Sequence, residues 1–487
     1  MRCRGEGRYV VERRFEVNRR LIALKVFRTF LYWMFGVSIR ASVSALLLCV
    51  AQAETLQILE TDAQSFQCRE DLIAQATSEI YISSYQISDE DIPLYFLGLL
   101  RDAARRGVDV RILVDGHRDS NLIPKAMMTH LIREGVQIEE FHPDIRYRPE
   151  LGRSRLHDKL LIVDQRSLLI GGRNLCNSFF GAACHNYVDR DVLIVGTLAS
   201  QARSYFLSRW ASCDTGTPSL QRNEAKKVVQ AQSHPELNSG MDPVCRSAAL
   251  LDATLEQGPP SLAPSDCARL TFVNSDDQKE DCIGAYEIDN VCFWHDVVDG
   301  SKHDPRGIAN QYLQLLSQAK RSILIETPYF VVTPEMKRTL ADARKRGVRV
   351  CIVTNSLESN DHALVHAGYA NQRHGMRMIG VELWEWQGKS TLHAKLTVVD
   401  GKTTVIGSYN ADVLSENRNS EVAVVIKDPA VAAEFTCLAE QHLLNAKHVP
   451  SNGLLLGFDA QGSHVSSERL AKFRRMRLIA PICRPFL

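Results

Sequence analysis

The chain has 487 residues, a formal net charge of +1 and 45% hydrophobic residues, a size and balance that suit a globular protein of two or three domains. Near-neutrality gives no sign of a dedicated nucleic-acid binder, so no nucleic acid is expected as a partner. The 13 cysteines contain no Cys-x-x-Cys pair and no His/Cys ligand spacing, which argues against a structural zinc site.

Residues 1–53 stand apart. An Arg- and Lys-rich stretch precedes an apolar run that ends Ala51-Gln52-Ala53, a small-x-small cleavage site. This is the pattern of a secretory signal peptide, and it predicts an exported, periplasmic or membrane-associated protein. An uncleaved anchor that uses the apolar residues 27–37 is the alternative. Loss of Cys3 and Cys49 with the signal leaves eleven cysteines, an odd number. Cys176 with Cys184, or several among Cys213, Cys245, Cys267, Cys282 and Cys292, are open to bridging in an oxidising compartment.

From residue 54 helix and strand patterns alternate. Residues 69–78, 92–106, 124–134 and 199–211 read as helices, and 80–87, 108–114, 136–141, 167–170 and 191–195 as strands. Residues 213–290 break the rhythm with Pro, Ser, Gly, Gln and Asp, including Gly258-Pro259-Pro260, and read as a linker or insert. The alternation then restarts: helices at 308–319, 334–346, 363–373 and 430–444, strands at 322–327, 348–354, 381–386, 404–406 and 422–426. Arg106-Gly107-Val108 matches Arg346-Gly347-Val348 in its place within the pattern. The chain is therefore an internal duplication of an α/β layered domain, 54–212 and 291–450, expected to pack with pseudo-twofold symmetry. The tail, 451–487, interleaves Arg469, Lys472, Arg474, Arg475 and Arg477 with Leu470, Phe473, Met476 and Leu478. It reads either as a basic amphipathic face for anionic lipid or as a solvated helix face.

One polar signature occurs in both halves: Leu156-His157-Asp158-Lys159 running to Asp164, and Leu392-His393-Ala394-Lys395 running to Asp400. Gly171-Gly172-Arg173-Asn174 and Gly407-Ser408-Tyr409-Asn410 follow at the same offset. On a strand alternate side chains share a face, so each His and Lys point the same way. A buried ammonium beside an imidazole is costly without an anion, and a phosphate supplies one. Asn174 and Asn410 are candidate phosphate donors alongside Lys159 and Lys395. If the two imidazoles meet around a phosphodiester, one attacks phosphorus and the other protonates the leaving oxygen, with no metal required. Each catalytic His needs an acidic partner on its other ring nitrogen. The candidates are Asp189 and Glu421, each just ahead of an apolar strand, with Asp191 as the fallback. Asp164 and Asp400 complete the signature set and sit at strand ends, where the reading gives them a turn-bracing role. Asp361, His362, His366 and Tyr369 are candidates for the pocket entrance or else solvated helix residues, and Tyr329 is a candidate for contact with substrate or else a packing aromatic.

At these residues the chain resembles the phospholipase D superfamily, whose motif is His-x-Lys-x4-Asp followed by Gly-[Gly/Ser]-x-Asn. Phe179-Phe180-Gly181-Ala182, Thr354-Asn355-Ser356-Leu357, Val365-His366-Ala367-Gly368-Tyr369 and Asn419-Ser420-Glu421 extend the likeness to the cardiolipin synthase C type of bacterial phosphatidyltransferases. The resemblance implies two phospholipase D-like domains with the site at their interface, no cofactor, and phospholipid substrates at a membrane surface. It further implies His157 as nucleophile, His393 as general acid and a phosphohistidine intermediate. Transfer of a phosphatidyl group to a second headgroup alcohol is the implied reaction. The apparent export signal and basic tail keep hydrolysis by an exported phospholipase D as the alternative, with cleavage of nucleic acid behind it. The residues fix neither the acceptor alcohol nor the oligomeric state.

Overall fold

The computed structural model describes residues 54–117, 120–141, 155–213, 242–260, 262, 285–299, 302–304, 306–450 and 465–483. The expected signal segment, with its cleavage site and alternative anchor, lies outside them.

The duplication is written into the topology. The first half contains strands β1 (Glu54–Leu59), β2 (Glu79–Ser84), β3 (Asp109–Asp115), β4 (Gln137–Phe141), β5 (Lys159–Val163), β6 (Ser167–Gly171), β7 (Tyr187–Val188), β8 (Asp191–Val195) and β9 (Ala285–Ile288). The second contains β10 (Val291–His295), the hairpin β11 (Val297–Asp299) and β12 (Lys302–Asp304), then β13 (Ser322–Glu326), β14 (Arg349–Asn355), β15 (Glu382–Trp386), β16 (Thr391–Leu392), β17 (Leu396–Val399), β18 (Thr403–Gly407), β19 (Val422–Ile426) and β20 (Ala446–His448). One sheet runs β4-β3-β2-β5-β6-β8-β1-β9, the other β15-β14-β13-β17-β18-β19-β10, with β20 beyond β15. Seven strands thus match one for one, and each sheet takes its eighth at the opposite edge. In both, the first three strands pair in parallel and the rest antiparallel.

Parallel neighbours need crossover helices. In the first half these are α2 (Asp91–Arg105) and α3 (Lys125–Arg133), with α1 (Asp62–Gln75) preceding them and α4 (Leu198–Cys213) closing the half; α5 (Pro243–Glu256) follows. The second half has α6 (Gly307–Ser317), α7 (Pro334–Lys345), α8 (Ala363–Met378), the short α9 (Val413–Asn417) and α10 (Pro429–Leu444), and α11 (Ser467–Cys483) follows. Helix starts follow capping rules: Thr61 makes a capping box with Gln64, and Thr333 and Asp428 cap helices that open on a proline.

Each sheet buries one face under its own outer helices. The other faces meet in a core that belongs to both halves, where Leu56, Ile162 and Phe206 pack with Val398, Ile406, Val424 and Phe435. Burial of this kind joins the repeats by the hydrophobic effect. Buried polar groups add direction: Arg190 of the first half donates to Glu60 (2.6 Å) and to Glu326 of the second (2.5 Å), and Glu326 also meets His442 Nδ1 at 2.8 Å. Burial and Arg190 act oppositely on Glu326, and the guanidinium wins, drawing the carboxyl down to about 2.

Several expectations need correction. Residues 213–290 are more than linker: α5 packs on α2 and α3 through the fully buried Leu251, and β9 extends the first sheet beside β1. Strands β1, β10 and β20 went unread as well. Cys176, Cys184, Cys213, Cys245 and Cys292 are all free thiols, while Cys267 and Cys282 lie outside the described residues. The tail helix α11 docks lengthwise on α8, burying Phe473 and Ala480.

Candidate active site

Two short parallel pairings cross between the halves, and each delivers a histidine to the other half's carboxylate. Leu156 bridges Ser420, with the His157 amide donating to the Ser420 carbonyl at 3.0 Å and the Ser420 amide to the Arg155 carbonyl at 2.7 Å. That register sets His157 against Glu421, and its Nδ1 lies 2.9 Å from Oε2. In the mirror arrangement β16 pairs with β7, Thr391 opposite Tyr187 and Leu392 opposite Val188. The His393 amide donates to the Val188 carbonyl at 2.7 Å, and its Nδ1 lies 2.6 Å from Asp189 Oδ2. The signature strand itself begins at Lys159 and at Leu396. Both histidines therefore sit in the break ahead of the strand, where backbone pairing with the other repeat holds them.

The glycine turns after each signature have a reason within this chain. A β-carbon at Gly172 would stand 2.3 and 2.4 Å from the Asp189 carboxylate oxygens, and one at Gly407 2.2 Å from the Val422 carbonyl, so only glycine lets these segments approach. The residue equivalent to Gly172 in the second half is Ser408, whose hydroxyl donates to Glu421 at 2.5 Å. Ser415 (2.6 Å) and Asn419 (3.2 Å) also donate to Glu421.

The lysines lie underneath. Lys159 Nζ donates to the His157 carbonyl at 2.8 Å, and Lys395 Nζ to the His393 carbonyl at 2.6 Å while resting 2.6 and 3.1 Å from the two ring nitrogens. Burial, then the neighbouring Lys395 charge, pushes Lys159 down to about 7; burial pushes Lys395 down to about 8, although Asp189 and Glu421 pull the other way. Burial and both lysine charges hold His157 well below its ordinary value. Burial and Lys395 lower His393 to about 4 against the pull of Asp189. Each lysine thus acts on the histidine of the other half, so the four groups lie close enough together to interact across the two repeats.

The two carboxylates are unequal. Burial raises Glu421 to about 7. Burial also works to raise Asp189, but Lys395 and His393 together hold it below the ordinary carboxylate value. Asp189 pulls His393 toward the imidazolium, although burial and Lys395 outweigh it, while the raised Glu421 gives His157 less of such a pull.

Asn174 and Asn410 are buried, each with an Oδ1 lacking a hydrogen-bond partner. A half-turn exchanges the two ends of the Asn174 amide and lets its NH2 face the site, whereas the Asn410 side chain also bonds Asp412. Over His393, Tyr187 and Phe179 stand with ring centroids 5.0 Å from the imidazole, and the hydroxyls of Tyr187 and Tyr329 both donate to Asp361 at 3.0 and 2.9 Å. Of the expected entrance and substrate-contact residues, Asp361 and Tyr329 are here. His362 joins them, exposed but edge-on to Tyr329 and 3.6 Å from Asp361, while His366 and Tyr369 are buried, with Tyr369 donating to Glu385 and His366 packed against Phe473.

Asp164 and Asp400 are not brought to the site. Asp164 accepts from the amides of Thr77, Ser78 and Glu79 (2.9, 2.7 and 3.1 Å), and Asp400 from those of Lys320, Arg321 and Ser322 (3.0, 2.6 and 3.0 Å). Both take positive φ, 51° and 58°, at the far end of the signature strand, and pin that end to the start of β2 or β13. They belong to the turn and not among the catalytic groups. Asp191, the fallback partner, turns instead to Ser65 and to Arg69 at 3.0 Å.

Sequence reasoning missed Tyr187, Arg190 and Asp158. Tyr187 carried no spacing signal, because it reaches the site only through the crossed pairing. Asp158 accepts from Tyr205 (2.8 Å), Ser83 (3.2 Å) and Ser420 (3.2 Å), tying the residue beside His157 to the residue beside Glu421. Ala394 fills its place in the second copy, a difference that was legible.

Residues 70–210 and 312–443 match the family described as cardiolipin synthase, PLD-like domain, the two stretches falling one in each half. The chain belongs to this family. Cardiolipin synthase C of Escherichia coli (strain K12) is 27% identical over 425 residues, 77% of this chain and 81% of that one. An uncharacterized protein of Helicobacter pylori is 24% identical over 423 residues, 80% of each. Among solved structures, phosphatidylserine synthase of Haemophilus influenzae Rd KW20 superposes with a TM-score of 0.61 at 16% identity, covering 92% of this chain and all of that one. That likeness shows a shared fold, and family membership makes this chain a phospholipase D-superfamily enzyme. Among the described residues no helix is long and apolar enough to cross a membrane.

Proposed function

We propose that this cardiolipin synthase-like enzyme transfers a phosphatidyl group from one phospholipid to the headgroup alcohol of another through a covalent phosphohistidine. The observation that carries the reading is the crossed arrangement: His157 on Glu421 and His393 on Asp189, with Lys159 and Lys395 buried between them. A phosphodiester anion relieves the burial of two ammonium groups, and the lysines, with Asn174 and Asn410, hold its non-bridging oxygens as charge builds on them.

Glu421 accepts the hydrogen bond of His157 Nδ1–H and fixes that tautomer, which leaves the Nε2 lone pair for phosphorus. As the nitrogen–phosphorus bond forms, the bond to the headgroup oxygen breaks, and the proton on His393 passes to that oxygen. The phosphatidyl group then rests on His157. An acceptor alcohol gives its proton to His393, its oxygen attacks phosphorus, and His157 is released. Asp189, held below the ordinary carboxylate value, supports His393 as the acid, and the raised Glu421, with the weaker pull on a proton, supports His157 as the nucleophile. Burial and the lysine charges lower His393 in the free site, and a bound phosphate anion offsets the lysine part and so raises its proton affinity.

Water in place of the alcohol gives hydrolysis with the same residues. Incubation with mixed phospholipid vesicles separates the two: cardiolipin supports transfer, phosphatidic acid alone supports a hydrolase, and DNA cleavage without lipid turnover overturns the lipid reading. The basic and apolar composition of residues 1–53 supports an exported or membrane-associated protein. A mature N-terminus at Glu54 is the expected outcome of N-terminal sequencing.

A further inference from the structure

The helix α11 uses one face to dock and leaves another of mixed chemistry uncovered. Phe473 and Ala480 are buried against α8, with Leu470 and Met476 partly so. Arg477 bonds Asn371 and its carbonyl accepts from the Asn371 amide. Arg469 donates to the carbonyls of Leu357 and Asn360. These contacts run in the same order along both segments, so α11 lies parallel to α8 and begins beside the loop that carries Asp361. The opposite face, spaced three and four residues apart, carries Arg474, Arg475, Leu478 and Ile482, flanked by Lys472 and Ile479.

Three facts about that face point to one occupant. Leu478 and Ile482 are 80% and 79% exposed, and Met378, at the C-terminal end of α8, is 72% exposed; large apolar side chains so open to water are costly to leave there. Lys472, Arg474 and Arg475 stand beside them, and among the described residues none is engaged by a carboxylate. Glu468 is the helix's single acid, at its first turn. Cations beside inserting aliphatic side chains fit an interface of negative headgroups over hydrocarbon, which takes both chemistries at once, and fit an uncharged protein surface poorly.

We propose that the exposed face of α11 seats the enzyme on an anionic lipid bilayer, with Leu478 and Ile482 below the headgroups and Lys472, Arg474 and Arg475 among the phosphates. The inference rests on the phospholipid reading of the site and adds an orientation to it. Arg469 fixes the start of the seated helix to the 357–361 loop, whose Asp361 holds Tyr187 over His393. Seating α11 therefore ties the loop beside the site to the membrane-bound helix.

The test uses the full chain carrying Leu478→Trp, read against the wild type so that the native tryptophans cancel. On vesicles of phosphatidylcholine with phosphatidylglycerol brominated in its acyl chains, the added emission shifts to the blue and is quenched; on pure phosphatidylcholine it is unchanged. Adding Lys472→Glu, Arg474→Glu and Arg475→Glu weakens the quenched state by about fivefold per cation removed, about a hundredfold together. Turnover of a monomeric short-chain phospholipid stays at the wild-type level in all variants, because none of these residues touches the site. Unquenched Leu478→Trp emission on anionic vesicles whose lipid the enzyme is turning over refutes the seating. So does quenching that survives the triple reversal. Absence of turnover of the monomeric lipid by the wild type counts against the proposed function and leaves the seating result to stand or fall by itself.

Discussion

Gly172→Ala is a one-carbon test of whether the crossed carboxylate matters to the leaving-group proton. The added methyl would stand 2.3 and 2.4 Å from the Asp189 oxygens, well inside contact distance. Gly172 does not have a positive φ, so its backbone accepts alanine and the carboxylate is the part that must yield. The bond at stake is the 2.6 Å contact between Asp189 and His393 Nδ1. A hydrogen bond to a charged group contributes about 1.5–3 kcal/mol, and its loss in the transition state slows the step by about 10- to 150-fold. The discriminating assay compares a phosphodiester carrying its natural headgroup alcohol with one carrying nitrophenolate, which departs without a proton. The natural substrate should show the full loss and the nitrophenyl ester little. Equal losses on both, or full activity with the Asp189–His393 contact broken in a structure of the variant, would refute the reasoning.

Two further outcomes follow from the same geometry. Lys159 at about 7 and Lys395 at about 8 are charged below those values and lose the charge as pH rises, so kcat/KM should begin to fall above pH ~7 and fall more steeply above pH ~8, with the limb displaced upward in kcat because bound phosphate favours the ammonium. Lys159→Arg and Lys395→Arg should each shift the falling limb to higher pH at reduced overall rate; a profile unchanged in both variants counts against the lysines as its source. Asp164→Asn should lower unfolding stability by about 2 kcal/mol in chemical denaturation through weaker acceptance from the Thr77–Glu79 turn, with kcat retained. A large loss of kcat at unchanged stability would return Asp164 to the chemistry.

Much of this molecule could be read from the residues because the duplication repeats both pattern and chemistry. The α/β alternation, the match of Val108 with Val348, and the paired His, Lys and Asn positions all survive in the coordinates as equivalent places in two sheets of one strand order. The carboxylates Asp189 and Glu421 were visible as acids ahead of apolar strands. Their crossing was not, because which half a carboxylate serves depends on pairings such as Leu156 with Ser420, and two-residue strands leave no periodicity to detect. Tyr187 was hidden for the same reason. Helix α5 escaped because a Pro- and Gly-rich composition around it masked a short apolar stripe that needs α2 and α3 to bury it. The tail's basic and apolar interleaving was legible, whereas the face that docks was settled by Phe473 and Ala480 meeting α8.

The central claim is that one phosphorus passes onto His157 between two imidazoles drawn from different repeats. Rapid acid-free quenching during turnover of a phosphorus-labelled phospholipid, followed by peptide mapping, tests it most directly. The account predicts an acid-labile label on His157, absent in His157→Ala and accumulating in His393→Ala with a nitrophenyl substrate. Label on His393, or steady turnover with label on neither histidine, would contradict it.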